Sequence, residues 1–185
     1  PIIYPGTCRN KNFSAKKGEY AIRLRVAPGM VSFKDLALGH KKWRFENEIG
    51  DFIIKRKDGL FAYQIAVVID DNFQGVNRVI RGIDLLDSTP RQISLYKALN
   101  LKPPDYLHIP IVVDKSGNKL SKQGNAKPID IDNPTLLLSE ALVMLGQDPQ
   151  RDARNQKELL SRAIKAWSID RIPAQKSVLA PANYL

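Results

Sequence analysis

Cysteine and histidine are scarce in this 185-residue sequence, which has one cysteine, Cys8, and two histidines, His40 and His108. A single cysteine excludes an internal disulfide framework and is typical of a reducing compartment. Two histidines leave little room for a histidine-rich metal site. No apolar run approaches the roughly 18 residues of a membrane-spanning helix. We therefore expect a cytoplasmic protein that does not cross a membrane.

Acidic residues are also few. The 19 Asp and Glu residues are outnumbered by 29 Lys and Arg residues, which gives a formal net charge of +10. The excess is concentrated in residues 1–57, which hold 13 basic and 5 acidic residues. Such a segment favours a polyanionic partner, because phosphate contacts release counterions. A solvated basic surface is the alternative.

The pattern of apolar residues predicts a mixed α/β chain. Alternation and β-branched residues indicate strands, and apolar residues three and four apart indicate amphipathic helices. The run from Tyr63 to Ile69 fits either a buried strand or a buried helix. We expect helices over 88–100, 135–145 and 155–167, and extended segments over 20–26, 51–57, 60–62 and 108–113.

The segment Lys119-Leu-Ser-Lys-Gln123 is the sharpest short motif. It follows a strand and a Gly-containing turn, and it can place two ammonium groups, those of Lys119 and Lys122, on one polyphosphate. Nucleotidyl transfer needs such groups, because the charge that develops on the phosphate oxygens must be stabilised. A lysine-rich solvated loop is the alternative.

Tyr63 and Arg81 are polar residues beside apolar runs. A tyrosine hydroxyl and a guanidinium together can bind a carboxylate, because arginine binds it in a bidentate manner. The alternative makes Tyr63 a core residue and pairs Arg81 with Asp70, Asp71 or Asp84.

Tyr4, Cys8 and His108 carry weaker signals. Tyr4 and Cys8 lie four residues apart beside a Pro-Gly turn, but one tyrosine and one cysteine cannot supply the four ligands of a zinc site. On these residues alone, a buried free cysteine is the better interpretation of Cys8. His108 stands at the start of a predicted strand, where a lone histidine is more often structural than functional.

In this order, the motifs resemble the glutamyl-tRNA synthetase group of class I aminoacyl-tRNA synthetases, most closely its shorter glutamyl-Q branch. The matching segments are 50–63, 66–71, 81–87 and 119–123, with support from 4–8 and 20–26. The resemblance implies an α/β fold that contains the second half of a Rossmann-type catalytic domain. Residues 1–50 would be a connective region, 51–133 the catalytic half and 134–185 a C-terminal helical region.

The resemblance also implies an activity. A monomeric enzyme would activate L-glutamate with ATP and Mg²⁺ in the absence of tRNA, and would then transfer glutamate to the queuosine base in the anticodon of tRNA(Asp). Tyr63 and Arg81 would bind glutamate. Lys119 and Lys122 would be the catalytic, ATP-binding lysines of a KMSKS-like loop, with His108 beside the nucleotide.

The resemblance matches Tyr4 and Cys8 with half of a structural Zn²⁺ site. The Cys-x-Cys pair of that site and the HIGH-like nucleotide motif are absent from these residues and would lie upstream of Pro1. Two alternatives stay open: a fragment of a canonical glutamyl-tRNA synthetase, and a non-catalytic RNA-binding module of the same fold.

Overall fold

A computed structural model describes residues 3–11, 20–121, 128–129 and 131–182. Among them, no helix is long and apolar enough to cross a membrane. The strands are β1 (Ile22–Leu24), β2 (Met30–Asp35), β3 (Gly39–Arg44), β4 (Phe52–Lys55), β5 (Arg78–Gly82), β6 (Asp105–Ile109), β7 (Ile111–Val113) and β8 (Ser177–Leu179). The α-helices are α1 (Tyr63–Phe73), α2 (Thr89–Ala98), α3 (Pro134–Met144) and α4 (Gln156–Ala166).

The chain divides into two compact units. The first contains the residues up to 35 together with 39–79 and 85–106, and the second contains 36–38, 80–84 and the residues from 107 onward. Strands β5 and β6 begin in the first unit and end in the second.

The first unit is built on strands that follow the order β3-β2-β6-β5 in one sheet. The β2–β3 pair is an antiparallel hairpin, whereas β2 and β6 run parallel and pair through Asp35 and Tyr106. A second, two-stranded sheet joins β1 and β4 in antiparallel register. The core between these strands and helices α1 and α2 is apolar. Its buried residues include Val31, Phe52, Val68, Leu95 and Tyr96.

The ambiguous run after residue 62 is a helix, α1. Its apolar residues lie on more than one side, because Val68 is fully buried whereas Phe73 is 89% exposed. The turn before it is confirmed, since Lys55 bridges Phe61 in antiparallel fashion across Lys57-Asp58-Gly59.

Helix α2 begins at Thr89, directly after Ser88. The Ser88 hydroxyl does not cap the helix but accepts a hydrogen bond of 3.0 Å from Gln64 Nε2. Leu95 is buried, whereas Leu99, just after the helix, is 41% exposed. The helix ends at Ala98, and Asn100 adopts a left-handed φ of 56°.

The second unit combines a short parallel sheet with two packed helices. Strand β7 pairs with β8, and Pro110 separates β6 from β7 within the predicted 108–113 strand. Leu142, Leu159 and Ala163 form the core of the α3–α4 pair. Gly146 ends α3 at a φ of 70°, and a Cβ there would lie 2.1 Å from the Arg171 carbonyl oxygen.

Candidate active site

Arg81 and His108 meet near the carboxyl ends of strands β5 and β6, in the second unit. The Arg81 Nε–H donates to His108 Nε2 over 3.1 Å, and His108 is fully buried. A guanidinium has only donors, so the accepting Nε2 carries a lone pair and the imidazole proton lies on Nδ1. The buried histidine thus limits the orientations that Arg81 can adopt.

Lys119 is held by Asp84 in the same unit. The Lys119 Nζ lies 2.6 Å from Asp84 Oδ2, and both side chains are partly exposed. The backbone of Lys119 forms an antiparallel bridge with Val113, the last residue of β7. The first lysine of the predicted phosphate-binding loop therefore starts from a fixed strand end and points its ammonium at a carboxylate.

Gly82 makes the position of Asp84 possible. A Cβ at Gly82 would lie 2.4 Å from Asp84 Oδ1, far inside normal contact distance. Any larger residue would displace the carboxylate that binds Lys119. Asp84 is the functional candidate that the sequence pattern did not single out, and the glycine two residues before it is the one local signal of its role.

The turn before Lys119 is held together by Asp114. The Asp114 carboxylate accepts hydrogen bonds from the backbone N–H groups of Ser116 and Asn118 over 2.8 and 2.9 Å. These bonds favour the ionised form, so the Asn118 N–H, the largest contributor, helps to lower the pKa of Asp114 below its usual value. The turn thereby directs the chain from β7 into the Lys119 loop.

Tyr63 is the first residue of α1, in the first unit, and its side chain is half exposed. Its assignment to glutamate binding stays a prediction. Lys122, the second lysine of the predicted loop, lies outside the described residues.

Tyr4 and Cys8 contact each other within the first unit. The Cys8 backbone N–H donates to the Tyr4 hydroxyl over 2.7 Å, and the hydrogen bond between the two side chains raises the pKa of Tyr4. Arg23 lies over the Tyr4 ring at 4.1 Å from its centroid. Cys8 is exposed, so the interpretation of a buried free cysteine is wrong.

These two residues alone do not fit a structural zinc ion. Such a site needs four ligands, and the described residues contain no group of three His, Cys, Asp or Glu side chains placed to bind a metal. We therefore derive no role for zinc from them.

The family follows from comparison with known proteins. The sequence model of one protein family, described as tRNA synthetases class I (E and Q), catalytic domain, matches residues 7–164. This chain belongs to that family. The fold predicted from the sequence, an α/β chain related to the class I synthetase catalytic domain, is thereby confirmed.

Several members of the family are similar along nearly the whole chain. A glutamyl-Q tRNA(Asp) synthetase from Methylococcus capsulatus is 44% identical over 95% of this chain and 59% of its own length. The protein of the same name from Pseudomonas putida (strain GB-1) is 45% identical over 98% of this chain and 61% of its own length. The chain thus spans about three-fifths of these relatives.

Solved structures agree on the fold. The glutamate-tRNA synthetase of Elizabethkingia anophelis superposes with a TM-score of 0.68 over 89% of this chain and 37% of its own. Its sequence is only 21% identical, so this similarity concerns the fold alone.

Proposed function

We propose that this synthetase-family chain contributes to the activation of L-glutamate with ATP and Mg²⁺, and to the transfer of glutamate to the queuosine base of tRNA(Asp). The observation that carries the proposal is the pair of oriented cations in the second unit. Arg81 is held by His108 and Lys119 by Asp84. The names of the similar relatives support the tRNA and the modified base.

In the first step, an oxygen of the glutamate α-carboxylate attacks the α-phosphorus of ATP. The new O–P bond gives glutamyl-adenylate, and cleavage of the α–β phosphoanhydride releases pyrophosphate. A carboxylate is already a nucleophile, so no general base is needed. Positioning and charge stabilisation then supply most of the catalysis.

Arg81, with Tyr63, is the proposed holder of glutamate. A guanidinium oriented by His108 can donate hydrogen bonds to a carboxylate with little loss of conformational entropy. In this proposal His108 acts through Arg81, in addition to its predicted place beside the nucleotide.

Lys119 and Lys122 are the proposed catalytic lysines that stabilise the pyrophosphate as it leaves. Lys119 is already paired with one carboxylate, and a polyphosphate carries more negative charge than Asp84. ATP therefore competes with Asp84 for the Lys119 ammonium group when it binds. Until then, Asp84 holds the ammonium group close to the position in which it would contact the phosphates.

In the second step, glutamate passes from the adenylate to the queuosine base and AMP is released. We propose that the protein acts in the cytoplasm, as a monomer. The zinc site implied by the family is not part of this proposal, since Tyr4 and Cys8 supply only two of its ligands.

The test is glutamate-dependent ATP–pyrophosphate exchange by the complete gene product, without tRNA. Exchange is expected, and Lys122→Ala should slow it by orders of magnitude. Exchange that requires added tRNA(Glu) would point instead to a canonical glutamyl-tRNA synthetase. Absence of exchange under both conditions would favour a non-catalytic RNA-binding module.

The acceptor is tested separately. Radiolabelled glutamate should be transferred to tRNA(Asp) that contains queuosine, and not to a tRNA(Asp) transcript that lacks it. Equal labelling of the two RNAs would contradict the assignment of the queuosine base.

A further inference from the structure

The β2–β3 hairpin separates its side chains cleanly between two faces. In its antiparallel register Ser32 pairs with Lys42, Lys34 with His40, and Met30 with Arg44. These six residues are exposed, and the residues between them are mostly buried or half-buried. We call the exposed set Met30, Ser32, Lys34, His40, Lys42 and Arg44 the outer hairpin face.

The opposite face anchors the hairpin to the core of the first unit. Val31 is buried, and the Phe33 ring stacks on Trp43 at 5.6 Å with an interplanar angle of 4°. The edge of the Tyr106 ring contacts Phe33, also at 5.6 Å. These ring contacts hold the hairpin backbone in place. The outer hairpin face therefore presents its cations from fixed backbone positions.

The outer hairpin face carries cations and no carboxylate. Within the described part of the chain, Lys34, Lys42 and Arg44 form no ion pair. Elsewhere arginines do find carboxylates, as in the Arg9–Asp51 pair at 3.2 Å and the Arg162–Asp152 pair at 2.8 Å. Asp35, which directly follows Lys34, is buried on the opposite face of the strand. After the hairpin, Glu46 accepts a hydrogen bond from the Gly29 N–H, and Glu48 accepts one from the Arg44 backbone N–H.

We infer that the outer hairpin face binds the phosphate backbone of RNA. The inference rests on the proposed role in tRNA modification and assigns part of the tRNA contact to these residues. Alternate residues of a strand lie about 7 Å apart, so Lys42 and Arg44 form a short row of charge with Lys34 on the adjacent strand. Such a row matches a line of phosphates and reads no sequence.

Charge and chemistry favour RNA over an anionic membrane. Peripheral binding to a bilayer needs bulky apolar or aromatic groups beside the cations. Here the aromatic residues Phe33 and Trp43 are on the opposite face, and Met30 is the one large apolar side chain on the outer face.

The test measures direct binding of the complete gene product to an unmodified tRNA(Asp) transcript over a range of salt concentrations. The variant Lys34→Ala/Lys42→Ala/Arg44→Ala is expected to weaken binding by roughly tenfold or more. It should also reduce the slope of log K against log salt by about 2 to 3, one unit for each lost phosphate contact.

The matched control removes the same charge elsewhere, with Lys97→Ala/Lys157→Ala/Lys165→Ala on the exposed surfaces of α2 and α4. It should keep the wild-type affinity and slope. A third variant, Lys34→Arg/Lys42→Arg, keeps the charge and should retain binding. Circular dichroism and the Tm verify that each variant is folded.

Equal weakening by the hairpin and control variants would overturn the inference, because net charge alone would then account for binding. Unchanged RNA binding in a folded hairpin variant would also overturn it. The same variant is also tested for binding to phosphatidylglycerol vesicles. A variant that binds RNA like wild type but no longer binds the vesicles would overturn the inference and identify a membrane surface. The assay contains neither ATP nor glutamate, so failure of glutamate activation and failure of RNA binding are distinguishable.

Discussion

The candidate site of the second unit and the outer hairpin face of the first unit arrange their cations in opposite ways. In the second unit Arg81 donates to a buried histidine and Lys119 pairs with Asp84, so each positive group has a defined direction. In the first unit the outer hairpin face presents Lys34, Lys42 and Arg44 without acidic partners in the described residues. A site that binds small anions needs oriented charges, whereas a surface that binds a long polyanion needs only a row of them.

Lys119→Ala should have the largest effect, because it removes one of the proposed catalytic groups. We expect the rate of glutamate-dependent ATP–pyrophosphate exchange to fall by about 100-fold or more, with little change in the KM for glutamate. Lys115→Ala, in the same turn region, is the control and should stay near the wild-type rate. Equal rates for wild type and Lys119→Ala would remove Lys119 from the mechanism.

Arg81→Ala comes next. A hydrogen bond to a charged group contributes about 1.5–3 kcal/mol, so the KM for glutamate should rise by roughly 10- to 100-fold. Arg78→Ala is the control on the same strand, since its pair with Asp105 is exposed and long, at 3.5 Å. Steady-state kinetics with glutamate as the varied substrate makes the measurement, and a KM that matches wild type would reject the assigned role.

Asp84→Asn turns Lys119 into an unpaired cation and so tests the comparison directly. Loss of positioning should slow exchange by about tenfold, whereas the Tm should change little, because partly exposed ion pairs contribute little to stability. Gly82→Ala should act in the same direction, since its Cβ would displace the Asp84 carboxylate. Asp84→Glu keeps the charge and should restore part of the rate; a rate unaffected by Asp84→Asn would contradict a positioning role.

His108→Leu removes the acceptor that orients Arg81. The KM for glutamate should rise about three- to tenfold, less than for Arg81→Ala, because the guanidinium is still present. Both His108→Leu and His108→Gln are expected to lower the Tm, since the site is fully buried. Only His108→Gln retains an acceptor oxygen and should bring the KM back toward wild type. The same KM for both variants would limit His108 to a packing role.

Local structure was the part of the fold that the sequence predicted well. The turn at Lys57-Asp58-Gly59 and the helix over 155–167 are found near their predicted positions, and Asn155 caps α4 by accepting from the Glu158 N–H. These features depend on neighbouring residues. The run from Tyr63 to Ile69 could not be decided in this way, because burial on more than one side conceals the periodicity of a helix.

The pairings in the site could not be predicted, because they join residues far apart in the chain. Arg81 and His108 are 27 residues apart, and Asp84 and Lys119 are 35 apart. Which of these side chains meet depends on the geometry at the ends of β5, β6 and β7, which no local pattern encodes. The sequence identified Asp84 only as a possible partner of Arg81, whereas it pairs with Lys119.

Asp114→Asn is expected to have the smallest effect, and it tests whether the turn before Lys119 depends on an ionised carboxylate. Backbone hydrogen bonds lower the pKa of Asp114 in the folded protein from its ordinary 3.8. A carboxyl group with a lowered pKa stabilises the fold above its unfolded pKa, and this stability is lost as the pH falls through the folded value. Wild type should therefore have the higher Tm at pH 6, and the difference from Asp114→Asn should shrink below about pH 3.8. Thermal unfolding of both proteins between pH 6 and pH 3 makes the comparison, and a difference that does not vary with pH would show that the ionised carboxylate does not support the turn.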